Sequence, residues 1–523
     1  MRLSIMQAVC CVSLLVTASL PGESGHGSDW LQLGTGTDPV VVDAEFGHYD
    51  GDSVTLRGGV ALDHQIGTLK AREAILTRAS SDREDQFSRL DMQGNIRVLM
   101  TAGGCFHCAN AELDFNSLTG RFYGDDFQEY VTYTDNLNKE GVEQSSLVLR
   151  SRHMAVEMNR LDSEGDEPLL HNVQQITADQ NVTVDYNREF MAAGDHMVYQ
   201  RYQNGWDADD GAVMPGVIYL RPSDFYGVCQ VTSRRGDLIK AQEIEIDVPL
   251  QIVTFDKPKG AVYVAAKEEE HQRIDFSSET LSWDQRSNLL TLRNKVVLYQ
   301  KVLGKLTCTD KALLCQEMVD GSRELKWIEA TGTTEMTYLD EANNDTHYLV
   351  CHGRVYVDAS NRITTLDAPS RTDGMDEKNA IGKQVYFEDC RGMVYADHVR
   401  LDYDLGDDGV APKKLTVSGN VKILNRSADG SGSDGPAIQY ALADVVEYVP
   451  GQEQMVLYAN EDRRVLFYDR INKVQVSAPA VNVRRDGTTG KETVEGIGDV
   501  RFTFASDEMN ALHENFDFEA AYR

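Results

Sequence analysis

Short runs of alternating hydrophobic and polar residues, bounded by Gly, Asn and Asp, recur along the chain from about Val40 to Phe504. Long patterns with the period of an amphipathic helix are nearly absent. Strict alternation is typical of β-strands that bury one face and expose the other. The pattern therefore predicts an all-β fold in which each strand has one apolar face.

One phrase of nine residues returns along the chain, with apolar residues at its first, third, seventh and ninth positions and Gly or a polar residue at its fifth. Because the apolar positions share a parity, a continuous strand places them all on one face. The central Gly-Gly or Gly-Asn predicts a bend or bulge that redirects the strand without changing that parity. The copies, some of them looser than others, are Val54–Leu62, Leu90–Val98, Ile176–Val184, Leu290–Leu298, Ile328–Met336, Leu349–Val357, Leu415–Ile423 and Val494–Phe502.

A second phrase follows or intervenes, and it consists of a small residue, an acidic or polar residue and then alternation. It predicts a tight corner that leads into another half-buried strand. The two phrases together form a repeat unit of irregular spacing, which indicates a degenerate repeat with insertions. The copies of the second phrase are Ala71–Ile75, Ala111–Phe115, Gly194–Val198, Ala241–Ile246, Ala396–Leu401 and Ala443–Tyr448.

The net charge of the chain argues against two classes of partner. Lys and Arg number 51 against 83 Asp and Glu, which gives a formal net charge of −32. This balance argues against nucleic acid, and against docking on anionic lipid headgroups through a basic patch. Hydrophobic residues at 41% are enough for an ordinary folded core.

The N-terminus predicts export to the periplasm. Arg2 precedes an apolar stretch from Ala8 to Leu20, and Pro21-Gly22 and a polar segment follow. This order is typical of a cleaved signal peptide, while an uncleaved N-terminal anchor is the alternative.

Seven cysteines follow the signal region, an odd number for an oxidising compartment. Cys105-Phe-His-Cys108 has no second pair to complete a zinc site, so a disulfide between Cys105 and Cys108 is favoured over metal. A pairing of Cys308 with Cys315 across a turn is a weaker expectation. The acidic loops at 207–211 and 404–409 lack the ligand spacing of a calcium site. No metal and no cofactor is predicted.

Several short motifs resemble those of the OstA-like family, the periplasmic bridge proteins of LptA type that take part in lipopolysaccharide transport. Met-Gln-Gly-Asn-Ile at 92–96 and Val-Ser-Gly-Asn-Val at 417–421 are similar to its apolar-x-Gly-Asn-Val units. The segment Gly67–Ile75 and Ala-Asp-His-Val at 396–399 are similar to its second unit. The chain is longer than a single-unit bridge protein and carries extra insertions and cysteines.

The resemblance implies a fold of stacked antiparallel strands in several repeated units, forming a V-shaped, folded β-jellyroll that carries acyl chains between its two sheets. It implies lipopolysaccharide or lipooligosaccharide as the ligand, and other β-jellyroll transport proteins of the inner and outer membrane as partners. Open strand edges also predict head-to-tail association of the chain, which crosslinking at high concentration would test.

If the resemblance transfers, the apolar positions of one parity line a lipid-binding groove and do no chemistry. We expect this groove to be formed by Val54, Leu56, Val60, Leu62, Leu90, Met92, Ile96, Val98, Leu290, Leu292, Val296, Leu298, Leu415, Val417, Val421 and Ile423. The sequence has no nucleophile elbow, zinc-protease motif, phosphate loop or dinucleotide fingerprint, so an enzyme is not predicted. The alternative is an exported structural or adhesive β-solenoid with a closed interior, which would bind a protein or glycan; a glycan-active enzyme ranks third.

The same patterns divide the chain. We expect a signal peptide over 1–22, a linker over 23–39, OstA-like β units over 40–200, 273–369 and 384–505, an uncertain segment over 201–272, a linker over 370–383 and a polar tail over 506–523.

Overall fold

The structure is a computed structural model. It describes residues 41–78, 87–101, 103–137, 145–161, 170–201, 216–224, 227–234, 236–263, 273–301, 304–319, 322–340, 345–369, 383–389, 392–406, 409–427, 437–470, 474–485 and 492–503. The predicted signal peptide, the first linker, nearly all of the second, the polar tail, Cys390 and the acidic loop at 207–211 lie outside these residues.

The described chain consists of antiparallel β-strands that belong to one sheet, with a single short 3-10 turn at Pro450–Gln452. No helix capable of spanning a membrane occurs among the described residues. The predicted all-β fold of stacked antiparallel strands is confirmed.

The first twenty strands are β1 Val41–Asp43, β2 Phe46–Tyr49, β3 Ser53–His64, β4 Gly67–Arg78, β5 Phe87–Met100, β6 Cys105–Asp114, β7 Thr119–Tyr123, β8 Val131–Leu137, β9 Ser145–Ser151, β10 His153–Leu161, β11 Leu170–Tyr186, β12 Phe190–Gln200, β13 Val217–Arg221, β14 Cys229–Ser233, β15 Leu238–Ala241, β16 Glu243–Asp247, β17 Ile252–Asp256, β18 Lys259–Tyr263, β19 Arg273–Ser277 and β20 Thr280–Asp284. The others are β21 Leu289–Arg293, β22 Val296–Gln300, β23 Gly304–Cys308, β24 Lys311–Val319, β25 Ser322–Thr331, β26 Thr334–Asp340, β27 Asp345–Cys351, β28 Arg354–Asp358, β29 Ile363–Asp367, β30 Val385–Asp389, β31 Gly392–Ala396, β32 His398–Gly406, β33 Gly409–Ser427, β34 Ala437–Val449, β35 Gln454–Tyr458, β36 Val465–Asp469, β37 Val474–Ala478, β38 Ala480–Arg485, β39 Glu492–Ile497 and β40 Arg501–Thr503.

The strand pairings form two ladders that run side by side. Ladder 1 follows the order β2, β3, β4, β5, β6, β7, β10, β11, β12, β13, β16, β17, β20, β21, β24, β25, β28, β29, β32, β33, β34, β35, β38, β39. Ladder 2 follows the order β1, β3, β4, β5, β6, β8, β9, β11, β12, β14, β15, β18, β19, β22, β23, β26, β27, β30, β31, β33, β34, β36, β37, β40. Eight long strands belong to both ladders. Elsewhere two consecutive shorter strands, one in each ladder, take the place of a long strand. We call each long strand, and each such pair, a rung; the chain crosses between the ladders within every rung.

A bend marks the point where each rung crosses between the ladders, and we call the line of these bends the fold line. In the long strands β3, β5, β11 and β33 the pairing register shifts there and omits two residues. These pairs are Gly58-Gly59, Gly94-Asn95, Gln180-Asn181 and Gly419-Asn420, and all of them have positive φ. Each pair is the centre of a first phrase, so the predicted bend is confirmed.

The two phrases meet at the fold line in neighbouring rungs. Asp397, from the second phrase, donates its backbone N–H to the carbonyl of Gly419 at 2.9 Å. Its carboxylate accepts hydrogen bonds from Asn420 Nδ2 at 2.7 Å and from Gln384 Nε2 at 2.8 Å. A side chain at Gly419 would place its Cβ 2.7 Å from the Cβ of Asp397. The repeat unit thus consists of adjacent rungs whose bends fit together.

We expect the Asp397→Ala variant to lose about 1–3 kcal/mol in the free energy of unfolding. Gln384, which is 2% exposed, would lose one of the two acceptors of its side-chain amide group, and the side chain of Asn420 would lose its partner. Urea unfolding followed by circular dichroism measures the loss. Asp402→Ala is the control, because Asp402 only pairs with Arg400 on the surface; equal losses in both variants would contradict the proposed role of Asp397.

The sequence alone does not assign the segment over 201–272 to a repeat unit. Its described strands, β13 to β18, continue both ladders without a break in the pairing. Two of these rungs bend over one or two residues, Gln242 between β15 and β16 and Lys257-Pro258 between β17 and β18, and a longer segment joins β13 to β14. No Gly-Asn pair identifies any of the three bends.

The two ladders face each other across an apolar interior. The ring of Phe106 in ladder 2 stacks on that of Phe122 in ladder 1, with centroids 4.5 Å apart. Phe190 in ladder 2 approaches Trp283 in ladder 1 in a tilted arrangement at 6.0 Å. The sheet is therefore folded along the fold line, and the side that carries the first-phrase apolar residues is its inner face.

Candidate apolar groove

All sixteen residues predicted to line a groove lie on the inner face. The twelve from the copies at 54–62, 90–98 and 290–298 are buried. In the copy at 415–423, Val417 and Val421 beside the fold line are buried, whereas Leu415 and Ile423 are partly exposed. The same pattern of residues therefore lines a closed interior in one part of the chain and a more open one in another.

Closure extends through the first part of the stack. There the inner residues farther from the fold line are as well buried as those beside it: Leu62 is 2% exposed, and Phe106 and Leu147 are fully buried. Across the interior, ring contacts join the two ladders. We call this part the closed section, from β3 to β22.

A buried ion pair also joins the two ladders in the closed section. Asp135 on β8 belongs to ladder 2, and Arg201 directly follows β12 on the ladder 1 side. Their carboxylate and guanidinium groups form an ion pair, and both side chains are only 4% exposed. We call this pair the Asp135–Arg201 clamp.

Two tyrosines complete the clamp. The hydroxyl of Tyr133 donates to Asp135 Oδ2 at 3.1 Å and accepts from Arg201 Nη2 at 3.2 Å, and the Tyr199 hydroxyl lies 3.4 Å from the same carboxylate oxygen. Burial raises the pKa of Tyr199 to about 12 and also raises that of Tyr133. Both phenols therefore stay protonated and act as donors. No sequence motif indicated this cluster.

The interior is more open between β23 and β33, which we call the half-open section. Inner residues beside the fold line are still buried there, among them Cys351, Val355 and Val385. One step farther out, the inner residues are partly exposed and form two rows along the stack axis. The ladder 1 row is Ile328, Val357, Thr364, Leu401 and Leu415; the ladder 2 row is Leu306, Met336, Leu349, Phe387, Val394 and Ile423.

The register makes these rows continuous. Each member lies directly opposite the next on a neighbouring strand, as Leu349 does to Phe387 and Leu401 does to Leu415. Six strands spaced about 4.8 Å apart give the ladder 2 row a length of about 24 Å. That exceeds the thickness of one leaflet of a bilayer's hydrocarbon core, which is about 15 Å.

The half-open section also contains a break in the core. One cluster of buried apolar residues extends from Val54 to Val385, and a second begins at Ala396. Val399 packs against both clusters. The two rows lie where the first cluster gives way to the second.

No protein-family model matches the chain, and a search of curated proteins finds no match.

The disulfide expected between Cys105 and Cys108 is not formed, and both thiols are free. Residues three apart on a strand point to opposite faces; Cys108 is buried in the interior, while Cys105 is on the outer face of β6. Cys308 and Cys315 are also free. Burial raises the pKa of Cys108 to about 12, so this thiol is a poor nucleophile. Within the described ranges, no group of three or more His, Cys, Asp or Glu is arranged to hold a metal ion.

Proposed function

We propose that the protein binds the acyl chains of lipopolysaccharide or lipooligosaccharide along its half-open section and passes them toward the outer membrane, as a periplasmic bridge of the OstA-like, LptA type. The observation that carries the proposal is the pair of aligned, partly exposed rows on facing ladders, which are apolar at every position except Thr364. Because the rows run along the stack axis, an extended chain lying between them would contact every rung.

The energetics favour such a groove. Each methylene moved from water into an apolar environment gains about 0.8 kcal/mol, so an acyl chain rarely crosses water without shielding. The ladder 2 row has an apolar side chain at every rung of the half-open section, which gives the chain similar positions along the axis. Movement from one position to the next then needs no exposure of the whole chain.

The two rows occupy only part of the stack. The eight long strands and the sixteen pairs of shorter ones make 24 rungs in the described chain. At about 4.8 Å per rung, the stack would extend for about 110 Å. The ladder 2 row covers about 24 Å of that length, and the proposed binding concerns this part of the stack.

A different observation supports a second candidate function. The closed section, packed across by aromatic rings and the Asp135–Arg201 clamp, is what an exported structural or adhesive β-solenoid would have throughout. In that case no ligand would occupy the partly exposed interior after β22. The partner would be a protein or glycan on the outside of the stack.

Photo-crosslinking in cells tests the proposed function. A photoreactive residue at Ile423, on the inner face, is expected to form a glycolipid adduct. The adjacent Leu424 is the matched control, because it is also aliphatic and partly exposed but lies on the outer face. Ile423 is a better position than Val421, which is buried beside the fold line.

A third probe at Leu62 reports on the closed section, where we expect no adduct while the clamp is intact. An adduct at Ile423 alone supports the proposed function. If neither Ile423 nor Leu424 gives an adduct in folded, exported protein, the structural solenoid becomes the better interpretation.

A further inference from the structure

The accessible row of ladder 2 ends on both sides within the stack. Leu298 on β22 lies directly opposite Leu306, the first member of the row, and is only 6% exposed. At the other end, Ala441 on β34 lies opposite Ile423 and is buried, and Phe467 on β36, opposite Ala441, is 4% exposed. The inner face continues past both ends of the row, but its side chains are covered there.

The ladder 1 row also ends at buried side chains. Leu314 on β24, directly opposite Ile328, is buried. At the other end the accessible positions continue over Tyr448 and Met455, and Val483 on β38, opposite Met455, is buried. The ladder 2 row is therefore the shorter of the two.

Within the described part of the stack, the side of the half-open section opposite the fold line is where its interior meets water, and we call this side the mouth. At the fold line, Cys351 and Val355 are buried. Farther out than the ladder 2 row, the inner-face residues His347, Asp389 and Asn425 are partly exposed. Water therefore reaches the two rows from the mouth.

We infer that the half-open section is a compartment closed at both ends, which an acyl chain enters and leaves sideways through the mouth. This inference rests on the proposed function and adds a route and a length limit to it. An extended hydrocarbon chain with bonds of about 1.5 Å and angles of about 111° advances about 1.25 Å per carbon. The ladder 2 row of about 24 Å thus accommodates about nineteen carbons. Transfer to a partner takes place at the mouth, and not through the ends of the stack.

The dependence of binding on chain length tests the inference with the full-length protein. Saturated fatty acids from decanoate to tetracosanoate, presented from cyclodextrin, compete with bound cis-parinarate, whose fluorescence is measured. We expect the affinity to rise several-fold with each added pair of methylenes up to octadecanoate, because each methylene leaves water, and to rise no further beyond eicosanoate. An unbroken rise to tetracosanoate would overturn the inference while leaving the groove in place. If the protein binds neither cis-parinarate nor any of the acids, the proposed function itself fails.

The Phe467→Ala variant is designed to open one end of the compartment. Phe467 lies on the same rung as Met455, so its truncation extends the ladder 2 row opposite a part of ladder 1 that is already accessible. Tetracosanoate should bind this variant at least fivefold more tightly than the unmodified protein, and dodecanoate should change less than twofold. Tyr468→Ala, at the adjacent buried aromatic residue of the outer face, is the matched control and should change neither affinity. A gain for tetracosanoate in both folded variants, or in neither, would contradict closure by Phe467.

A substitution with the opposite effect leaves no cavity. Leu349→Trp places a bulky ring in the middle of the ladder 2 row and divides it into two shorter stretches. Octadecanoate should lose at least tenfold in affinity, and decanoate less than twofold. Tyr348→Trp, at the neighbouring partly exposed position of the outer face, is the control and should change neither affinity. Equal losses for the two acids in Leu349→Trp would mean that the chain does not lie along the row, and the inference would fall.

Discussion

The Asp135→Asn variant is expected to lose about 3–5 kcal/mol in the free energy of unfolding. Asparagine keeps the shape of the side chain but leaves the Arg201 guanidinium in the interior without its counter-charge. Tyr133 and Tyr199 cannot replace that charge, because their phenols stay protonated. The midpoint of urea unfolding measures the loss, and hydrogen exchange at β8 and β12 would locate it.

The double variant Asp135→Leu/Arg201→Met is the matched control for the clamp. It removes both charges together and fills the space with apolar groups of similar size, so we expect stability close to that of the unmodified protein. A single variant that is as stable as the unmodified protein would mean that the ion pair does not hold the ladders together.

The Phe106→Ala variant is expected to lose about 3–5 kcal/mol, and Phe387→Ala only about 1 kcal/mol. The two residues occupy equivalent places, each on the inner face of ladder 2 and one step outward from the fold line. Phe106 is fully buried against Phe122, whereas Phe387 is partly exposed. Truncation therefore leaves a cavity only at Phe106.

Urea unfolding of both variants, with the unmodified protein beside them, gives the comparison. Because the same residue type is truncated at equivalent positions, the difference between the two losses measures the difference in packing between the closed and half-open sections. Similar losses at the two positions would show that the half-open section is packed as tightly as the closed one, and this would argue against an accessible groove.

The bends of the rungs were predictable because their cause is local. Two successive residues with positive φ favour Gly and Asn, and Gly94-Asn95 and Gly419-Asn420 supply them, whereas Gln180 adopts this conformation without such a signal. The parity of the apolar positions is equally local, so the face on which Leu90 or Val417 lies follows from the pattern alone. The rungs of β13 to β18 stayed uncertain because no Gly-Asn pair marks their bends, which are made by residues such as Gln242 and Lys257-Pro258.

The openness of the interior was not predictable from the same pattern. Leu62 and Ile423 occupy the same place in their phrases, yet one is buried and the other partly exposed. The difference depends on how closely the two ladders approach, which is set by contacts between distant residues. Asp135 and Arg201, for example, are 66 positions apart in the chain. The placement of Cys105 and Cys108 on opposite faces, in contrast, was available from strand parity.

The antiparallel order of the rungs limits how such a chain can grow longer during evolution. Each rung crosses the fold line in the direction opposite to its neighbour, so one additional rung would deliver the chain to the wrong side of the sheet and reverse every strand after it. Duplication of a hairpin, which adds two rungs, restores the direction and keeps each apolar residue on the inner face. Stacks of this kind are therefore expected to lengthen in pairs of rungs, with related chains differing by whole hairpins.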